Sequence, residues 1–258
     1  MLSYQHAYHA GNLADVHKHA LLARALSYLT KKDKPLSYIE THSGRGLYDL
    51  SGAEAQKTGE AAQGISLAEQ WFDQDHPYRQ ALQTIRDKHG PDAYPGSPVI
   101  AQTLLRQTDQ IHLAELHPQE HAALSYAMSA SHAKVYSQDG FALAQSLCPP
   151  TPRRGLILID PSWEIKDDYA RMPKFVASLT KKWNVGIVMI WYPILTDPQH
   201  MPMIRAIKQG HPEALIHEVP FPPARKGHRM IGSGMAILNT PWGLADEAKA
   251  LTKRFKSL

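Results

Sequence analysis

Gly155-Leu156-Ile157-Leu158-Ile159-Asp160-Pro161-Ser162-Trp163-Glu164 is the stretch on which the fold turns. Gly155 to Ile159 form a continuous apolar run with two isoleucines and no charge, as expected of a strand buried on both faces of a parallel sheet. Periodicity alone also allows a short buried helix. Asp160 ends the run, and Pro161 stops further pairing because it has no N–H to donate. A carboxylate, a rigid turn and a large aromatic thus fall at the carboxyl end of a strand, where open α/β sheets bind ligands. The plain alternative is an ordinary strand-to-loop turn with a capping Asp.

Outward from this strand, others follow the same pattern. Leu36–Glu40, Ile111–Leu116, Ala133–Tyr136, Asn184–Trp191, Ala214–Val219 and Gly234–Leu238 read as strands, most of them separated by helical segments. Such alternation predicts a largely parallel sheet covered on both faces, and the last two strands, joined without a helix, predict an antiparallel pair at one edge. Residues 49–95 break the alternation: rich in Ala, Gln, Glu and Lys and without a clear strand, they read as a helical insertion within a single domain spanning 1–258. Trp71 and Phe72 are expected to build the core of that insertion.

Composition narrows the class. The 258 residues are 43% hydrophobic and 20% charged, as in an ordinary globular protein. No apolar run approaches the roughly 20 residues of a membrane helix. Met1–His6 lacks the basic and apolar regions of a signal peptide. The single cysteine, Cys148, allows no internal disulfide or multi-Cys metal site. A cytoplasmic protein is expected, with no membrane partner. The net charge of +4 is small, but basic residues cluster at Lys31-Lys32-Lys34, Arg153-Arg154, Lys181-Lys182 and Arg225–Arg229. Such clusters suit a phosphate backbone, and they also suit solvated helix ends and loops.

The strand ends carry the polar chemistry. Thr41-His42-Ser43-Gly44-Arg45-Gly46 follows the first strand, with two glycines that let backbone approach a ligand. The third glycine of a dinucleotide fingerprint is missing, so the loop by itself specifies no cofactor. Glu115 ends the second strand of the nucleotide-binding series, where an acid accepts hydrogen bonds from ribose hydroxyls. Asp139-Gly140 opens the helix after the third. The first twenty residues crowd Tyr4, His6, His9, Asn12, Asp15, His17, Lys18 and His19 ahead of a helix whose apolar face runs through Leu22, Ala25, Leu26 and Leu29, with Asn12 as its cap. Four histidines ahead of that face point to a ligand-facing role.

Glycine loop, ribose acid, Asp-Gly and Asp-Pro-x-aromatic in succession resemble the class I S-adenosylmethionine-dependent methyltransferases. Asp160-Pro161-Ser162-Trp163 looks like the Asp-Pro-Pro-Tyr signature of amino-group methyltransferases acting on adenine. Met1-Leu2-Ser3-Tyr4-Gln5-His6, His9-Ala10-Gly11-Asn12, Lys18-His19, Tyr94-Pro95-Gly96-Ser97-Pro98 and Glu115-Leu116-His117-Pro118 are similar to the RlmJ family of 23S ribosomal RNA adenine-N6 methyltransferases. The resemblance implies a Rossmann-like fold with a seven-stranded, mostly parallel sheet and an antiparallel edge strand. It implies that His19, His42, Ser97, Glu115, Asp139, Gly140 and Asp160 hold S-adenosylmethionine, and that Asp160 is catalytic. Tyr4, His6, Lys18, Pro161 and Trp163 would meet the RNA, with Trp163 stacking on an extruded adenine. The partner would be protein-free or early-assembly 23S ribosomal RNA, met by a monomer without a metal. Ser162 departs from the signature, whose second proline would fix φ.

Two rivals follow from the same residues. Homologues have been labelled as proteins for catabolism of external DNA, which fits a nucleic-acid-binding protein without catalysis or a metal-dependent nuclease using His6, His9, Asp15, His17 and His19. On a helix His17 and His19 project about 200° apart, so they cannot face one ion.

Overall fold

The computed structural model describes residues 5–225 and 227–258. A 3-10 turn, His6–Tyr8, leads into α1 (Leu13–Thr30), β1 (Ser37–Glu40) and β2 (Leu47–Asp49). The short helices α2 (Ala53–Thr58), α3 (Glu60–Gln63) and α4 (Ile65–Ala68) follow, then α5 (Pro77–His89), β3 (Ala93–Pro95), α6 (Ser97–Leu104), β4 (Gln110–Ala114), α7 (Pro118–Ala127) and β5 (Lys134–Tyr136). The second half runs α8 (Gly140–Leu147), β6 (Gly155–Ile159), α9 (Asp167–Lys182), β7 (Ile187–Leu195), α10 (His200–Gly210), β8 (Leu215–Pro220), β9 (Met230–Leu238) and α11 (Leu244–Phe255).

Seven strands form one sheet in the order β5-β4-β1-β6-β7-β9-β8. The quoted stretch is its central strand: β6 pairs in parallel with β1 on one side and β7 on the other. Its residues alternate between two cores. Leu156 and Leu158 join the core beneath α1, whereas Ile157 and Ile159 join the one beneath α9. That two-sided burial is why the run carries no polar position. The antiparallel pair expected at one edge is β8–β9; the strand running against the rest is β9, inserted between β7 and the outermost β8.

Three details depart from the sequence reading. β7 continues through Pro193 to Leu195 rather than stopping before it. β6 has ended at Ile159, so the outer half of β7 pairs with β9 alone and tolerates a proline. β2 and β3 form a small antiparallel ribbon that clasps the two ends of residues 49–95; three-residue strands carry too little alternation to be read. Within that segment Ile65, Phe72, Tyr78 and Leu82 are buried in the same core as α1, so its helices pack on the body of the fold. No helix among the described residues is long and apolar enough to cross a membrane.

The chain reverses direction of travel between β1 and β6, so their carboxyl ends open a crevice. Close packing beside it leaves no freedom at Gly140, where a Cβ would overlap the Thr41 carbonyl oxygen. Gly140→Ala should therefore destabilise the protein by about 1–3 kcal/mol, through overpacking against backbone. The urea midpoint checks this, and an unchanged midpoint refutes the close packing.

Candidate active site

The crevice holds a cavity of about 230 Å3. Its floor comes from three strand ends: His42, Ser43 and Gly44 after β1, Glu115 and His117 after β4, and Asp160, Pro161 and Ser162 after β6. Its lid side comes from the N-terminal segment, with His6, Asn12, Asp15, Lys18 and His19.

Lys18 binds the two sides together. Its Nζ donates to Asp160 Oδ2 at 2.6 Å and lies 3.1 Å from Asp15 Oδ1. Burial alone would favour the neutral amine, but the two carboxylates more than offset it and hold the Lys18 pKa above its ordinary value. Asp15 in turn accepts from the Gly11 N–H and pairs with His6 Nε2, both at 2.9 Å. Burial opposes its charge too, yet His6 and Lys18 hold its carboxyl well below the ordinary value. Asn12 caps α1 as expected, its Oδ1 accepting from the Asp15 N–H at 2.9 Å.

Glu115 accepts from the N–H groups of Gly44 and His117, each at 2.8 Å. Gly44 makes its turn with φ +59°, and a Cβ there would come within 2.6 Å of Tyr48 Oη. Burial raises the Glu115 carboxyl above its ordinary value, so further donors would be welcome there. Burial also lowers His42 to about 4 and His19 to about 3, leaving both neutral at physiological pH. His19 Nδ1 is hydrogen-bonded to Tyr94 Oη at 2.9 Å. Three buried polar atoms on lining residues, Ser43 Oγ, His117 Nδ1 and His228 Nδ1, have no hydrogen-bond partner among the described residues. An acid poised for hydroxyls, orphaned polar atoms and a glycine-bounded floor fit the adenosyl half of S-adenosylmethionine.

The site thus gathers His6, Lys18, His19, His42, Ser97, Glu115, Asp160 and Pro161 around one cavity. Tyr4 lies outside the described residues. Asp139 and Gly140 stand just off the wall: Asp139 caps α8 through Ala142 N at 2.7 Å and keeps its side chain 43% exposed. Trp163 requires correction. It is only 6% exposed, sits in the core against Tyr169 with ring centroids 4.5 Å apart, and donates its indole N–H to the Trp191 carbonyl at 3.1 Å. The indole that lines the cavity is Trp191. The imidazoles of the metal alternative diverge, His17 toward Ser233 and His217 and His19 toward Tyr94.

Sequence reasoning missed Glu40, at the end of β1. It is fully buried and accepts from Ser97 Oγ and from Tyr38 Oη, the latter at 2.9 Å. Its one signal was an acid closing the first strand. Burial dominates and lifts this carboxyl to about 8, against the lowering influence of Ser97, Tyr38 and Lys18.

A seven-stranded sheet with one reversed strand near its edge, and acids at the ends of β4 and β6 around one crevice, define a Rossmann-like class I methyltransferase. Residues 33–257 match the family described as ribosomal RNA large subunit methyltransferase D, RlmJ. The chain is 39% identical to ribosomal RNA large subunit methyltransferase J of Escherichia coli over 96% of its own length and 90% of that protein. It is 37% identical to the Haemophilus influenzae protein of the same name, over 97% and 92%. A crystal structure of a Legionella pneumophila protein superposes with a TM-score of 0.86 at 34% identity, covering 96% of this chain and 93% of that one. The chain belongs to the RlmJ family of S-adenosylmethionine-dependent ribosomal RNA methyltransferases.

Glu40 has a measurable consequence. Its folded pKa of about 8 lies above the ordinary 4.5, so the unfolded chain releases this proton first and the contribution of Glu40 to stability falls as pH rises from about 4.5 to 8. His19 and His42, depressed below 6.5, act oppositely and lose stability as pH falls. Comparing wild type with Glu40→Gln in urea at each pH isolates the carboxyl. The variant should gain on wild type by up to about 1.4 kcal/mol per pH unit between pH 5 and 8. A pH-independent difference would rule out a protonated Glu40.

Proposed function

We propose that this protein transfers a methyl group to N6 of an adenine in 23S ribosomal RNA, with Asp160 and the Pro161 carbonyl holding the reacting amine. The observation that carries this reading is Asp160 at the end of the central strand, fixed by Lys18 on the floor of a cavity that also contains Glu115.

When bound, S-adenosylmethionine supplies a methyl group activated on a sulfonium sulfur. Glu115 would accept from its ribose hydroxyls, with His42, Ser97 and His19 lining the same half of the site and Asp139-Gly140 at its margin. Exocyclic N6 of adenine is a poor nucleophile because its lone pair is delocalised into the ring. Lys18 occupies Asp160 Oδ2, so Oδ1 and the Pro161 carbonyl are the acceptors for the two N–H bonds. Accepting both turns the nitrogen pyramidal and aims its lone pair. The nitrogen so held would receive the methyl group that bound S-adenosylmethionine supplies, and one N6 proton would leave to water. Positioning carries this step, and no strong base is required. His6 and Lys18 bring the N-terminal segment over the mouth.

The basic loop meets the same mouth, since His228 and Met230 line the cavity. Arg229 is well exposed, with the Asp197 carboxylate 4.0 Å away. Among the described residues the cavity is lined from one chain, which supports action as a monomer; the RNA would be met protein-free or early in assembly, in the cytoplasm. Residues 49–95 would act as a helical subdomain bracing α1.

Mass mapping of 23S ribosomal RNA incubated with wild type should find one N6-methyladenine, and Asp160→Ala should slow its formation by about 10²–10³-fold, the scale for losing an aligned transition-state hydrogen bond. Methylation at another base or atom would overturn the assignment. Changing Arg225 and Arg229 together to Gln should weaken RNA binding and make the log–log salt slope shallower by about 1.4, at 0.7 per single-strand phosphate contact. An unchanged slope places the RNA elsewhere.

A further inference from the structure

Trp191 lines the cavity from β7, on the side of Asp160 away from β1 and β4, whose ends carry His42 and Glu115. Ile190 is paired with Ile159, so Trp191 is the next residue outward, alongside Asp160. Its ring lies 5.7 Å from Lys18 Nζ, the cation that fixes Asp160. The indole N–H does not face the cavity: it donates to Ser233 Oγ at 2.9 Å. From there a buried hydrogen-bond chain continues to His17 Nδ1 at 2.8 Å, from His17 Nε2 to His217 Nδ1 at 2.8 Å, and from His217 Nε2 to Thr252 Oγ1 at 2.9 Å. Thr252 Oγ1 closes it by donating to the Ala248 carbonyl.

We propose that Trp191 is the platform on which the target base stacks, held in place by the Ser233–His17–His217–Thr252 chain. This deepens the adenine methyltransferase reading and rests on it. The chain has one consistent polarity. An indole N–H can only donate and a carbonyl can only accept, so Ser233 gives its hydroxyl proton to His17, and both imidazoles are neutral with their protons on Nε2. Burial lowers the pKa of each, which keeps them in that form. Every N–H and O–H along the path has an acceptor, so the indole is held from one edge while its ring lines the cavity. Trp163 supports the same residue from behind by donating to its carbonyl. Sheet order leaves the cofactor half over β4 and β1 and puts the aromatic face beyond Asp160, where the base bearing the reacting amine must lie.

The test uses the full chain, labelled S-adenosylmethionine and protein-free 23S ribosomal RNA. Trp191→Leu keeps most of the volume and removes the π face; Trp191→Phe keeps a π face. Leu should lower kcat/KM for RNA by about 10- to 100-fold, on the scale of one stacked base, and Phe should remain within about fivefold of wild type. Calorimetric affinity for S-adenosylmethionine should stay within twofold in both. Ser233→Ala, which unanchors the indole, should raise KM for RNA about threefold with kcat unchanged. A Leu variant equal to wild type, equal losses in Leu and Phe, or a loss that follows weakened S-adenosylmethionine binding would overturn the platform. A wild-type KM in Ser233→Ala would overturn the anchor. Wild type that binds S-adenosylmethionine but methylates no RNA would show instead that the underlying reading fails.

Discussion

The arrangement depends on one buried ammonium. Lys18 is 5% exposed, and a charge so placed is tolerated only when paired and hydrogen-bonded. Two carboxylates meet that requirement from different parts of the chain, Asp15 one turn earlier on α1 and Asp160 at the end of β6. The pairing therefore fixes how α1 lies across the crevice and sets the direction of the Asp160 carboxylate. Because Asp15 also engages His6 and the Gly11 N–H, the segment leading into α1 is drawn over the same place.

That constraint explains the composition of α1. From Leu13 to Ala23 the helix is buried on all sides, yet it carries Asp15, His17, Lys18 and His19. Each polar side chain goes to a separate built partner: Lys18 to the carboxylates, His17 to Ser233 and His217, and His19 to Tyr94, which in turn meets Tyr78 Oη at 2.9 Å. Burying such groups without partners would cost roughly 1–3 kcal/mol each. Their satisfaction specifies a single position for the helix, which an apolar stripe alone would allow to slide.

The same residues show what could be read in advance. The central strand, the sheet flanked by helices and the acids at the strand ends were legible because alternation, length and punctuation are local signals. Asp160 and Glu115 stood out by their place at strand ends, the roles expected of His42 and Lys18 came from motif resemblance, and all four line one cavity. The ribbon of β2 and β3 was not legible because it is too short for a period. Glu40 was hidden because its carboxyl is neutralised by an environment assembled from β1 and α6. His17 looked like a ligand because its partners lie 200 and 216 residues away along the chain, a separation that no local pattern encodes.

Trp163 shows where motif resemblance and packing part company. It adopts φ 57°, a left-handed conformation uncommon for a bulky residue. The strain is offset by what the indole gains inside: burial, contact with Tyr169 and a hydrogen bond to the Trp191 carbonyl. An aromatic that the motif would direct at the substrate is thereby committed to the core with Tyr169. Its backbone contact lands on the residue whose own indole does face the cavity, so the aromatic character of the site is kept while its source moves from the turn to the neighbouring strand. A platform on a strand, braced on its edge by Ser233 and on its carbonyl by Trp163, is held more rigidly than one on a four-residue turn.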